Sequence, residues 1–169
     1  NRRWFENCIN FKKNLNMNIG FLGLGKLGLP VSLAVEDKGH NIFGYDISTQ
    51  TLEDIKNKHI RYKEEWVEKF LPNTKLEINN IDDLVKNSEI IFVPIQTPHD
   101  PKYEGITRIP SERIDFDYSY LKSGIKDLSE AIEKNGEDKV VIIISTVLPG
   151  TIRTEIKPLL GKHTKLCYN

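Results

Sequence analysis

A six-residue glycine motif, Gly23-Leu24-Gly25-Lys26-Leu27-Gly28, constrains the fold of this chain more than any other feature. It follows the short apolar run at residues 18–22 and precedes a helical pattern at residues 29–38, so it joins a predicted strand to a predicted helix. Gly23 permits a tight turn, Gly25 lets backbone amides approach a diphosphate, and Gly28 lets the helix pack closely on the strand. The free amides and the dipole of the helix N-terminus favour an anion there.

The rest of the chain repeats this alternation of strand and helix patterns. Further strands are predicted at residues 41–45, 76–79, 89–95, 139–144 and 165–168. Further helices are predicted at residues 49–58, 66–70, 81–87, 118–132 and 151–160. Asp117 is predicted to cap the helix at residues 118–132, and Pro158 to end or kink the helix at residues 151–160. Six strands alternating with helices predict an α/β fold, a doubly wound parallel six-stranded sheet of Rossmann type with strand order 3-2-1-4-5-6.

An acidic residue stands where a dinucleotide-binding fold requires one. Asp46 ends the second predicted strand, eighteen positions after Gly28. A carboxylate there accepts hydrogen bonds from the ribose hydroxyls of NAD. It repels the 2′-phosphate of NADP by about 1 kcal/mol per unit charge at 4 Å even in water, close to a tenfold bias. The sequence therefore predicts NAD rather than NADP. Two alternatives are a glycine turn without a ligand and an Asp46 that merely caps the helix beginning at Thr49.

The other strands also end in residues suited to a binding crevice. Thr97 follows the fourth strand, and Thr146 follows the fifth within STVLPGT. The connection at residues 96–117 is long for a compact domain, so we expect a lid or a substrate-side loop there. His99 in this loop lacks a placed partner and is interpreted as polar surface. Cys167 lies in the last predicted strand, among apolar neighbours.

Composition excludes several classes of protein. The 169 residues carry 24 basic and 24 acidic side chains, which gives no electrostatic footprint for nucleic acid or an anionic membrane surface. The longest apolar runs, residues 90–94 and 140–144, are far shorter than the ~18 residues of a membrane helix. Two cysteines cannot build a disulfide framework, and neither belongs to a pair with metal-ligand spacing. We expect a cytoplasmic domain.

The first sixteen residues differ from the rest. Four basic residues stand there against one acidic residue, and the only methionine, Met17, directly precedes the first strand. We interpret residues 1–16 as an extension outside the fold and residues 17–169 as the NAD-binding domain. The alternative is a short helix that packs on the domain through Trp4, Phe5 and Phe11.

Five ordered motifs together resemble one family. They are MNIGFLGLGKLGLP from Met17, GHNIFGYD from Gly39, VPIQTP from Val93, STVLPGT from Ser145, and the closing Tyr168-Asn169. They are similar to the NAD-binding domain of the UDP-glucose/GDP-mannose dehydrogenases, which oxidise a sugar-nucleotide alcohol to a carboxylate with two NAD molecules. The resemblance implies a UDP- or GDP-sugar as substrate.

The resemblance also implies roles for particular residues, and it implies that some parts of the family's proteins lie outside these 169 residues. It places the diphosphate on the glycine motif, the ribose on Asp46, Thr97 along the cofactor and Thr146 on the nicotinamide side. The family's catalytic cysteine, central helix and second domain are absent from these 169 residues, so we expect NAD binding without complete catalysis. We also expect a homodimer for a full-length protein and a monomer for this chain. Alternatives are the β-hydroxyacid dehydrogenases, which share the glycine-rich opening, and a nucleotide-sensing module without enzyme activity.

Overall fold

The computed structural model describes residues 16–103, 106, 108 and 111–169. They form one parallel sheet of six strands in the order 3-2-1-4-5-6, as predicted. Strand β1 lies at the centre and pairs with both β2 and β4, so strands β2 and β3 extend the sheet on one side of it and strands β4 to β6 on the other. The strands are β1 Asn18–Leu22, β2 Asn41–Tyr45, β3 Glu77–Ile78, β4 Ile90–Val93, β5 Lys139–Ile143 and β6 Thr164–Tyr168.

Helices cover both faces of the sheet. They are α1 Gly28–Asp37, α2 Thr49–Lys56, α3 Glu65–Phe70, α4 Ile81–Asn87 and α5 Ser119–Asn135, with short 3₁₀ turns at Leu71–Asn73 and Pro101–Tyr103. The predicted bounds differ from these by a few residues at most, which is the usual uncertainty of helix ends. The predicted cap at Asp117 is wrong by one residue, because the N-cap of α5 is Tyr118, which has no side-chain cap. Asp117 precedes it, and its Oδ1 accepts the Ser119 amide at 2.8 Å. Hydrogen bonding from the Ser119 side chain, together with the bond from its amide, lowers the pKa of Asp117.

The core consists of two hydrophobic clusters, one on each face of the sheet. Alternate residues of one strand serve both, because successive side chains of a strand point to opposite faces. Phe21 of β1 belongs to the cluster under α1, α2 and α3, whereas the adjacent Leu22 belongs to the cluster under α4 and α5. Burial on both faces explains why the strands are continuous apolar runs in the sequence.

The helix predicted at residues 151–160 is wrong in type. The chain forms a π-helical turn at Ile152–Ile156 and then a 3₁₀ turn at Lys157–Leu159. Pro158 has no amide hydrogen and cannot continue an α-helical hydrogen-bond ladder. The segment therefore closes through the shorter bond from the Leu160 amide to the Lys157 carbonyl, at 3.2 Å.

The apolar surroundings predicted for Cys167 are also wrong, because this thiol is exposed. Strand β6 forms the edge of the sheet, and neither hydrophobic cluster includes Cys167. Residues 1–15 of the predicted extension lie outside the described residues, so its placement stays a prediction. Within the described part of the chain, no helix has both the length and the apolar character needed to cross a bilayer.

Candidate functional site

The glycine motif forms a tight turn between β1 and α1. Gly23 has a φ of +114°, which is left-handed backbone, and its amide donates to the Tyr45 carbonyl at 2.8 Å. A Cβ at Gly28 would lie 2.1 Å from the Gly23 carbonyl oxygen and 2.9 Å from Pro94 Cγ. Gly23 thus makes the turn and Gly28 lets helix α1 approach the strands, as the motif predicts.

The middle of the turn faces open space. Gly25, Lys26 and Leu27 are exposed, and a Cβ added at Gly25 would have nothing within 4 Å. Among the described residues, none accepts a hydrogen bond from the amides of these three. Helix α1 has no side-chain cap and no acidic residue in its first turn, so its positive end is not offset by its own sequence. This arrangement suits a diphosphate.

The Asp46 carboxylate is fixed beside this turn. Its Oδ2 accepts the Leu24 amide at 2.7 Å, and its Oδ1 accepts the Ser48 amide at 2.8 Å. Each carboxylate oxygen can accept further hydrogen bonds, and the residue is only half-buried. Ser48, not Asp46, caps α2, since its Oγ accepts the Thr51 amide at 3.2 Å. The capping alternative for Asp46 is therefore wrong.

One further residue, which the motifs do not predict, lies at this position. Ile47 follows Asp46 directly, and 85% of it is exposed, although it is a large apolar side chain. The sequence does contain a signal for it, because Ile47 is an apolar residue between two polar ones, Asp46 and the helix cap Ser48. Its exposure beside Asp46 makes it a candidate surface for the flat face of a base.

Thr97 and Thr146 come together at the ends of β4 and β5. The Thr97 hydroxyl donates to the Thr146 carbonyl at 2.6 Å, and the Ile144 amide donates to the Val93 carbonyl at 3.2 Å just below. Thr146 is exposed, whereas Thr97 is half-buried. The Thr97 hydroxyl proton is thus engaged within the protein, and the Thr146 hydroxyl is the more accessible of the two.

All eight predicted site residues follow the carboxyl ends of neighbouring strands. We call this edge the rim; it comprises residues 23–28, 46–48, 94–97 and 145–148, after β1, β2, β4 and β5. The end of β4 closes on the glycine turn, because a Cβ at Gly23 would lie 3.7 Å from both Ile95 Cγ1 and Pro94 Cγ. The rim therefore surrounds the point where strand order reverses, which is where doubly wound sheets bind ligands.

Comparisons with known proteins agree with this geometry. Residues 17–168 match the UDP-glucose/GDP-mannose dehydrogenase family, NAD binding domain. Protein CapL of Staphylococcus aureus is 30% identical over 156 residues, which are 90% of this chain and 32% of CapL. The chain thus spans about a third of the length of such curated relatives.

Two solved structures share the fold. A UDP-glucose dehydrogenase from Pyrobaculum islandicum superposes with a TM-score of 0.76 at 19% identity, over 93% of this chain and 36% of that one. A GDP-mannose dehydrogenase from Pseudomonas aeruginosa has a TM-score of 0.75 at 22% identity, over 90% and 36%. Because the family match covers most of the sequence, this chain belongs to the UDP-glucose/GDP-mannose dehydrogenase family as its NAD-binding domain, and its cofactor is NAD.

Proposed function

We propose that this chain carries NAD for a nucleotide-sugar dehydrogenase that oxidises a primary alcohol of the sugar to the uronate in two hydride transfers. The observation that supports it most is the pairing of Asp46 with the Leu24 amide, next to the open amides of Gly25, Lys26 and Leu27. This donor and acceptor set fits a diphosphate followed by a ribose with two free hydroxyls. Bound NAD supplies the hydride acceptor.

Each part of the rim has a proposed task. The amides of residues 25–28 hold the diphosphate, and the exposed Lys26 side chain adds a positive charge close to it. Asp46 accepts hydrogen bonds from the adenosine ribose hydroxyls, while the Leu24 and Ser48 amides fix the orientation of its carboxylate. Ile47 covers one face of the adenine. The far half of the dinucleotide then extends across the ends of β4 and β5, along Thr97 and toward Thr146.

The substrate and the assembly are proposed from the family. Relatives named UDP-N-acetyl-D-mannosamine dehydrogenase and GDP-mannose 6-dehydrogenase support a UDP- or GDP-sugar as partner. Family membership favours this class over a β-hydroxyacid dehydrogenase or a sensing module. We further propose that the full-length protein is a cytoplasmic homodimer, and that these 169 residues bind NAD without completing catalysis. Turnover of a sugar nucleotide by the purified chain would contradict the last point.

Calorimetric titration with NAD and NADP tests the cofactor site. We expect the parent chain to bind NAD with a dissociation constant between about 1 µM and 1 mM, and NADP more weakly. Asp46→Ala removes the charge that repels the 2′-phosphate, so most of this discrimination should be lost. Asp46→Asn removes the charge but keeps the shape of the side chain and one acceptor oxygen. Comparison with Asp46→Ala therefore separates the effect of the charge from the effect of losing the hydrogen bond with the Leu24 amide.

Asp127→Ala is the matched control. Asp127 is an exposed carboxylate in the middle of α5, away from the rim, so this variant should keep the parent's ratio of NAD to NADP affinity. A parent chain that binds neither dinucleotide, or binds NADP as tightly as NAD, would refute the proposed site.

A further inference from the structure

The hydroxyl of the buried residue Tyr118 lies at the centre of a partly buried hydrogen-bond group. It donates to Asp115 Oδ1 at 2.5 Å and accepts the Leu148 amide at 3.1 Å and the Thr151 hydroxyl at 3.4 Å. Only 8% of Tyr118 is exposed. A tyrosine hydroxyl has one proton and two lone pairs, so these three bonds use its full capacity.

The partners of Tyr118 belong to two segments that are far apart in the sequence. Asp115 lies at the base of the connection between β4 and α5, where the Asp117 amide donates to the Pro98 carbonyl at 2.8 Å. The ring of Phe116 meets the His99 ring edge to face, with centroids 6.5 Å apart, and this contact also closes the base. Leu148 and Thr151 belong to the turn after β5. The Tyr118 hydroxyl therefore joins the base of this connection to that turn.

The turn after β5 forms part of the rim on the side away from Asp46. It contains Thr146, whose carbonyl accepts the Thr97 hydroxyl at 2.6 Å. The Thr97 hydroxyl thus holds this turn against the segment that follows β4, and the Tyr118 hydroxyl holds it against the base of the connection between β4 and α5. If the glycine turn holds the diphosphate and Asp46 the adenosine ribose, the nicotinamide half extends over this turn.

We propose that Tyr118 is a positioning residue for the nicotinamide half of the cofactor. It acts through the turn at residues 146–151 and does not touch the cofactor itself, because its hydroxyl is saturated. This inference rests on the proposed function. Its specific content is that the Tyr118 hydroxyl sets the affinity of one half of the dinucleotide and leaves the other half unaffected.

A comparison of NAD with ADP-ribose measures this difference, since ADP-ribose keeps the adenosine and the diphosphate but lacks nicotinamide. Tyr118→Phe removes the hydroxyl and keeps the ring in its packing. This variant loses all three bonds of the hydroxyl, but only the resulting shift of the turn reaches the cofactor. We therefore expect it to bind NAD about fivefold to tenfold more weakly, an effect the size of a single hydrogen bond, and to bind ADP-ribose as the parent does. Tyr120→Phe is the matched control: Tyr120 lies two residues further on, in the first turn of α5, is 54% exposed, and its loss of a hydroxyl should change neither affinity.

The outcomes separate this inference from the proposed function. A parent chain that binds neither ligand refutes the proposed function. A parent that binds both, with a Tyr118→Phe variant whose two affinities are unchanged or fall equally, overturns the positioning role alone. If Tyr118→Phe does not fold, Asp115→Ala replaces it, because this exposed residue is the acceptor for the Tyr118 proton. An unchanged ratio of NAD to ADP-ribose affinity in Asp115→Ala then overturns the inference.

Discussion

Gly25 and Gly28 lie in the same turn, yet a methyl group added at each meets different surroundings. At Gly28 the new Cβ would lie 2.1 Å from the Gly23 carbonyl oxygen, whereas real contacts of this kind stay beyond 3.0 Å. Backbone must therefore move by about 1 Å. At Gly25 the same atom has no neighbour within 4 Å, and the φ of Gly25 is outside the left-handed region. Gly28→Ala should thus affect folding, and Gly25→Ala should affect binding.

The magnitudes follow from these contacts. Forcing a methyl group into a packed site typically destabilises a protein by about 1–3 kcal/mol, whereas replacing glycine by alanine inside a helix stabilises it by up to about 1 kcal/mol. Gly28 is the first residue of α1, where the stabilisation by alanine is smaller. We therefore expect Gly28→Ala to lower the free energy of unfolding by about 1–2 kcal/mol. For a domain of this size that lowers Tm by about 2–8 °C. Gly25→Ala should stay within about 0.5 kcal/mol of the parent.

Binding should show the opposite order. The methyl group of Gly25→Ala occupies the space through which a diphosphate reaches the amides, so we expect NAD affinity to fall about tenfold or more. Urea unfolding and calorimetric titration on the two variants and the parent give both quantities. A Gly25→Ala variant that is destabilised as much as Gly28→Ala, or that binds NAD as the parent does, would contradict these expectations.

Two further variants test other parts of the structure. Ile47→Ser should leave the unfolding midpoint unchanged, because Ile47 is 85% exposed, and should weaken NAD and ADP-ribose alike in calorimetry; unchanged affinities would exclude the adenine contact. In the Arg61–Asp54 pair, at 2.7 Å, the hydrogen bond from Arg61 lowers the pKa of Asp54. The pair therefore stabilises the fold above the unfolded pKa of about 3.9 and loses this effect as the pH falls through the lower folded pKa. Arg61→Ala should raise the pKa of Asp54 in a carboxyl NMR titration, and an unchanged value would contradict this explanation.

The sequence was sufficient to predict the sheet and to bring the candidate site residues to one edge of it. Apolar runs such as residues 139–144 indicate strands that are buried on both faces. The glycine motif indicates where β1 ends and α1 begins. The last helix was predicted wrongly because helical spacing of apolar residues does not distinguish α, π and 3₁₀ turns when a proline interrupts them.

The bonds that connect distant segments could not be predicted. Tyr118 shares the apolar spacing of α5, and this pattern predicts its buried ring but says nothing of its hydroxyl. The hydroxyl's partners Leu148 and Thr151 lie 30 and 33 positions away in the sequence. In the same way, the spacing of Asp46 predicts a place beside the glycine turn, whereas its bond to the Leu24 amide depends on how β1 and β2 align.

The rim lies largely outside the two hydrophobic clusters, and this has a consequence for how the protein can change. Asp46, Ile47 and Thr146 belong to neither cluster, so substitutions there do not require the interior to repack. Gly28 has no such freedom, because a single added carbon would displace the backbone on which the motif depends. An engineer seeking a new specificity should therefore vary the residues after β2 and β5 and keep the turn after β1.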